Sequence, residues 1–150
     1  MTQPLLSDRM KLTSTVNIDA PLKVVWAVTE DVEHWPEWTP TVESIRRLDA
    51  EVFDIDSTAI LKLPHLPSSV WTVVAFVKEK QFKWESKVLG INMVATHEMR
   101  SVGTKTKSVI AIEMTALVVT LLEPLFRVFS QRMLEQENMG LKKRCEAQIF

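Results

Sequence analysis

Alternation of apolar and polar residues dominates the chain. Residues 10–18, MKLTSTVNI, put Leu12, Ser14, Val16 and Ile18 on one face and Lys11, Thr13, Thr15 and Asn17 on the other. That is the period-two signature of a half-buried strand. The period then changes in DAPLKVVWAVTED, where Leu22, Val25 and Val28 or Thr29 fall at helical spacing. Asp19 and Pro21 stand where a helix start favours them. EHWPEW predicts a second, shorter helix, with Pro36 tolerated in its first turn. From about residue 42 to 115 the period returns mostly to two, predicting strands near 42–48, 58–63, 70–77, 81–88, 91–101 and 104–115. VKEKQ and SVGTK read as hairpin turns, the second with Gly103 free to take positive φ. Residues 118–147 lack turn signals and predict one long C-terminal helix with Pro124 in or near its first turn.

This order predicts an α+β fold. A curved antiparallel sheet of about seven strands surrounds a long C-terminal helix, with two short helices after the first strand. An antiparallel sheet needs one face covered, and the long helix is the only large element able to cover it. A curved sheet gripping a helix leaves space between them, which is a natural ligand cavity. The length of 150 residues suits one domain, 1–150, with its core at about 10–147.

Charge narrows the function. Eighteen basic against 19 acidic residues give a net charge of −1, without the basic excess of a dedicated nucleic-acid binder. The single cysteine, Cys145, rules out an intramolecular disulfide and a cysteine-rich metal site, which fits a reducing cytoplasm. Residues 1–9, MTQPLLSDR, lack the apolar run of a signal peptide. The most apolar stretch, 116–129, is interrupted by Glu123, Pro124 and Arg127 and is too short for stable membrane insertion. The expectation is a soluble cytoplasmic domain. Edge strands leave pairing into a homodimer open.

Candidate chemistry sits on the apolar faces. In 91–101, Ile91, Met93, Ala95, His97 and Met99 share one face, so His97 lies among apolar neighbours. It reads either as a core histidine with a hydrogen-bond partner or as a polar anchor or general acid/base in a pocket. Ser14, Ser86 and Ser108 place hydroxyls on the same sheet face. They either bond to backbone or line a pocket with sparse polar groups. On the long helix, Val118, Leu122, Leu125, Phe126, Phe129 and Met133 form a stripe that drifts towards Leu134, Leu141 and Cys145. Glu137 falls inside that drift. It either reaches solvent at an edge or sits partly buried with a raised pKa. Gly140 implies a close approach to the sheet or the Trp segment, since it costs the helix about 1 kcal/mol relative to Ala. No GxSxG, P-loop, GxGxxG or HExxH is present, and His34, His65 and His97 show no metal-ligand spacing. No metal or cofactor is expected.

The segment STVNIDAPLKVVWAVTEDVEHWPEWTPTVESIRRLD, followed by FKWES, MVATHEM and LEQENMGLKKRCE, resembles the polyketide cyclase/dehydrase and lipid-transport family. That family lies within the START-like (SRPBCC) helix-grip superfamily, and the resemblance covers about residues 12–147. It implies a deep cavity between sheet and helix, its mouth flanked by the early short helices and the loop KLPHLPSSVW. Relatives often carry Gly in the turn before the third strand, where this chain reads FDIDST. The aromatase/cyclase branch often places Arg and Tyr in its cavity. This chain has no Tyr, and Arg46 is the nearest basic candidate.

The expected ligand-binding residues are Trp35, Trp38, Trp71, Trp84, Ser86, Met93, Ala95, His97, Ser108, Ile110, Phe126, Phe129, Met133 and Glu137. Trp26 is expected in the core, with Trp35 and Trp38 capping the cavity and each indole N–H partnered at the rim. The leading function is binding of a hydrophobic or amphipathic small molecule such as a lipid, polyketide or other aromatic. A cyclase, aromatase or dehydratase using His97 or Glu137 for proton transfer is the second reading. A protein-interaction module docking through the Trp-rich edge is the third.

Overall fold

A computed structural model describes residues 9–148. The expectation that the N-terminus carries no signal peptide lies outside the described residues. The chain forms β1 (Arg9–Ile18), α1 (Leu22–Glu30), a 3-10 helix (Val32–Glu37), β2 (Ser44–Arg47), β3 (Thr58–Lys62), β4 (Ser69–Val77), β5 (Gln81–Val88), β6 (Ile91–Val102), β7 (Lys105–Thr115), α2 (Leu117–Leu121) and α3 (Glu123–Ala147). The strands make one antiparallel sheet in the order β1-β7-β6-β5-β4-β3-β2. From β2 to β7 each strand lies beside its predecessor, and β1 closes the row against β7. A register shift between Val73 and Ala75 interrupts the β4–β5 ladder, and such bulges bend and twist a sheet. Gly103 takes φ 64° in the β6–β7 hairpin, as the turn requires.

The sheet's inner face and α3 enclose the core. Ile18, Val73, Phe82 and Ile110 are buried on strands, and Val25 and Trp26 are buried on α1. Trp26 meets Phe76 and Phe82 edge-on, and its indole N–H donates to Glu30 Oε2 at 2.9 Å. The C-terminal half of α3 contributes Leu134, Leu141 and Cys145, all buried. Burial also pushes the Cys145 thiol up to about 12, which suits a packing residue and not a nucleophile.

Several local features depart from the sequence reading. The expected single helix is two, because Leu122 leaves helical geometry at φ −113°, ψ 20°. Pro124 explains the break: it lacks an N–H, and in a continuous helix its ring would press on the carbonyl four residues earlier. It stands instead in the first turn of α3. Asp19 does not cap α1. Pro21 is the N-cap, its carbonyl receiving the N–H groups of Val24 and Val25, while the Asp19 N–H donates to Glu146 Oε2. The second short helix is a 3-10 turn with Pro36 in its fifth position rather than its first turn. Asp56 takes φ 70° in the turn that lacks Gly, a conformation Asp adopts more readily than most residues. Arg46 is exposed and its neighbour Ile45 is buried, so no basic group enters from β2 at this position.

Gly140 marks the tightest joint. A Cβ there would lie 2.0 Å from the Trp38 carbonyl oxygen, a backbone atom with little room to move. Gly140→Ala is therefore expected to destabilise by about 2 kcal/mol in urea unfolding, overpacking outweighing the gain in helix propensity. A neutral or stabilising result would contradict this packing.

Candidate functional site

A cavity of about 420 Å³ lies between the sheet and the N-terminal half of α3. Its walls follow from period. Alternate residues of β6 and β7 face inward, supplying Met93, Ala95 and His97 from β6 and Ile110, Ile112 and Met114 from β7. Across from them, Phe126, Phe129, Met133 and Glu137 line the space at helical spacings of three and four on α3. Trp84 on β5 and Trp71 on β4 extend the aromatic wall, with ring centroids 5.8 Å apart. Leu63, Pro64, His65 and Leu66 line the other side. Leu125 and Phe129 line the cavity yet are 68% and 40% exposed, so the mouth lies between this loop and the start of α3. His65 approaches Phe129 there, at 6.0 Å between rings.

Trp35 lines the cavity from the opposite, buried end. It is only 2% exposed, and its indole N–H donates to the Thr29 carbonyl at 3.0 Å. It therefore forms part of the floor, not the lid expected from its place beside two prolines. Trp38 does not line the cavity. It packs against Trp35 at 5.7 Å and beneath Gly140, and its indole N–H is buried without a hydrogen-bond partner instead of meeting one at a rim. Neither Ser86 nor Ser108 lines the cavity either. The Ser86 hydroxyl donates across to the Val70 carbonyl at 2.7 Å. Ser108 donates to Asn138 Oδ1 at 3.0 Å, and Asn138 Nδ2 donates in turn to the Ser14 carbonyl at 2.8 Å. Asn138 thus ties α3 to β7 through Ser108 and to β1 through Ser14. Sequence reasoning missed Asn138, although its spacing of four from Leu134 and three from Leu141 places it in the buried stripe.

The polar centre of the cavity is His97 with Glu137. His97 Nε2 lies 3.7 Å from Glu137 Oε1, their side chains 5% and 13% exposed. The imidazole stacks on Phe82, centroids 4.8 Å apart and planes 13° from parallel, and Trp35 closes its edge at 4.9 Å. Glu137 Oε1 is buried with no hydrogen-bond partner. Apolar surroundings disfavour charge on both groups, pushing His97 down to about 3 and Glu137 up to about 7. Near neutrality the pair holds a neutral imidazole and a carboxyl that is protonated in a substantial fraction of molecules. The first can accept a hydrogen bond, and the second can donate one. No Lys or Arg among the described residues lines the cavity, and no cluster of three or more metal-ligating side chains occurs among them.

A family model described as polyketide cyclase/dehydrase and lipid transport matches residues 9–146. No curated protein matches the sequence. Among solved structures, a START superfamily protein from Mycobacterium smegmatis is similar at TM-score 0.78 and 15% identity, over 92% of this chain and 98% of that one. A protein from Thermus thermophilus reaches TM-score 0.77 at 17% identity, over 94% and 100%. The Zhui aromatase/cyclase from a Streptomyces species reaches 0.73 at 14%, over 95% and 96%. These likenesses show the helix-grip fold. Among the described residues, no helix is long and apolar enough to cross a membrane.

The carboxyl of Glu137 has a measurable signature. Its folded pKa lies above the unfolded value of 4.5, so the folded state holds the proton more tightly. The associated stability is fully present below pH 4.5 and is lost as pH rises through about 7. The shift corresponds to about 3 kcal/mol when complete. Glu137→Gln is expected to match the wild type near pH 4 and to exceed it by about 1–3 kcal/mol at pH 8 in denaturant melts. Parallel stability profiles for the two proteins would show that Glu137 is not held in this environment.

Proposed function

We propose that this chain, which belongs to the polyketide cyclase/dehydrase and lipid-transport family, binds a hydrophobic or amphipathic small molecule in the cavity between its sheet and α3. The observation that carries this reading is the cavity itself. It combines about 420 Å³ of space with walls of aliphatic, Met and aromatic side chains, one open end and few polar groups. Such a space is costly for a protein that does not fill it, because lining atoms lose packing partners. Its size and sparse polarity are those of small-molecule sites.

Ala95 gives the sharpest test. It lines the cavity between Trp84 on β5 and Ile112 on β7, so Ala95→Phe projects a ring into the space. A panel of lipids and polycyclic aromatics is expected to contain at least one compound that raises the wild-type melting temperature. The rise should be about 5–10 °C at roughly a hundredfold excess over its Kd. Ala95→Phe should fold and lose that shift, whereas Ser86→Trp, altering a residue outside the cavity lining, should retain it. A shift that survives Ala95→Phe would place binding elsewhere.

A second reading, an enzyme of the cyclase or dehydratase type, is favoured by one observation. Glu137, whose carboxyl is partly protonated near neutrality, faces His97 at 3.7 Å inside the chamber, and a carboxyl poised near pH 7 suits general acid–base chemistry. In that case, His97→Ala is expected to abolish turnover of a bound substrate while leaving its Kd within a few-fold, measured by single-turnover kinetics and calorimetry. Unchanged turnover in both His97→Ala and Glu137→Gln would remove this mechanism.

A further inference from the structure

Besides the Ser130 hydroxyl, the Trp84 indole N–H and His65 at the mouth, the polar side chains lining the cavity are either already paired or belong to one buried pair. The Trp35 N–H is taken by the Thr29 carbonyl and the Trp71 N–H by Ser69 Oγ at 3.1 Å. Thr41 Oγ1 is paired with Thr39 Oγ1 at 2.9 Å. His97 Nε2 and Glu137 Oε1 instead face each other across a gap, and at 3.7 Å that gap is too long for a direct hydrogen bond. An oxygen beside the gap, about 2.8 Å from each partner, subtends an angle of about 83° between them; that is narrower than tetrahedral but is met by bent hydrogen bonds, and a hydroxyl there can donate to one partner while accepting from the other.

The geometry points to a hydroxyl-binding subsite: His97 and Glu137 together hold the neutral hydroxyl of an otherwise apolar ligand, an alcohol or a phenol, and reject ligands that end in an anion. This inference rests on the cavity being a binding chamber and names the chemistry of its occupant. Rejection follows from what surrounds the pair. Met93, Ala95, Ile110 and Met133 line the cavity with apolar groups, no Lys or Arg among the described residues lines it, and His65 is an exposed residue of the mouth loop. A carboxylate or phosphate driven to this end would lose its hydration and gain no cation, and it would lie beside a group that is itself acidic. A hydroxyl carries no such penalty and satisfies the otherwise unpartnered Glu137 Oε1.

Two probe series test the subsite and separate its two sources. The first is 2-naphthol, its isostere 2-methylnaphthalene, and 2-naphthoate. The second is 1-dodecanol, tridecane and dodecanoate. Calorimetry at pH 8 with wild type, Glu137→Leu and Glu137→Gln reads the affinities. In at least one series, Glu137→Leu is expected to weaken the hydroxyl member about 10–100-fold while leaving the methyl member equal or tighter. Glu137→Gln, whose amide still donates and accepts, should keep affinity for the hydroxyl member within a few-fold. The anionic member should bind wild type at least about tenfold more weakly than the hydroxyl member. Selectivity confined to the naphthyl series assigns a phenol, and selectivity confined to the dodecyl series assigns an alkyl alcohol. If hydroxyl and methyl members respond alike to Glu137→Leu, or the anion binds as tightly as the hydroxyl, the subsite is overturned and the binding chamber stands. If no member of either series binds wild type, chamber and subsite fall together.

Discussion

The structure depends on how α3 is held at one end. Its C-terminal half is pressed onto the body of the protein by three kinds of contact. Leu134, Leu141 and Cys145 are buried, Gly140 lets the helix backbone close on the Trp38 carbonyl, and Asn138 bonds to β1 and β7 through Ser14 and Ser108. In the N-terminal half, which begins after the break that Pro124 imposes, the hold is lighter: Gln131 Nε2 donates to the Thr13 carbonyl of β1 at 3.1 Å, and Phe126 packs partly against the core. A straight helix clamped at one end against a curved sheet diverges from it towards the other. The cavity is the wedge that results, with Leu125 and Phe129 at its wide, exposed end and Glu137, beside the clamp, near its narrow one.

The narrow end is buried, and burial gives the two polar groups their character. Phe82 and Trp35 flank the His97 ring. Behind them Phe53 and Trp84 pack edge-on against Phe82. This aromatic block excludes water from one side of the imidazole and leaves the other side turned to the cavity. In such surroundings an ion is costly and a neutral hydrogen bond is worth more than in water. On the proposed reading, the same packing that keeps His97 uncharged would make the pair selective for what enters. It is equally the condition under which the pair would transfer protons, so the two proposed functions would share one physical origin.

Much of this was legible in the sequence, and the failures have physical reasons. Period-two alternation located the strands, because a sheet covered on one face must alternate. Face assignment on β6 placed His97 inward among Met93, Ala95 and Met99, and the drifting stripe on α3 singled out Glu137. What alternation does not reveal is the occupant of the facing element. Ser108 shares an inward face with Ile110 and Ile112, yet it meets Asn138 where the helix is clamped and not the open wedge. The prolines flanking Trp38 suggest a lid, but the contact that places it is a backbone oxygen against Gly140, which no hydrophobic pattern records. The kink at Leu122 was written in Pro124, though the apolar run around it reads as continuous helix. Asp56 likewise does in its turn what a glycine usually does.

The most direct test of the account is native mass spectrometry of the protein purified from its own host, followed by denaturing identification of whatever is released. The account predicts one small, largely apolar molecule per chain, bound in wild type and absent from Ala95→Phe. A protein that emerges empty, and whose melting temperature no lipid or aromatic compound moves, would contradict it. The wedge between sheet and helix would then be a consequence of the clamp alone and not a site.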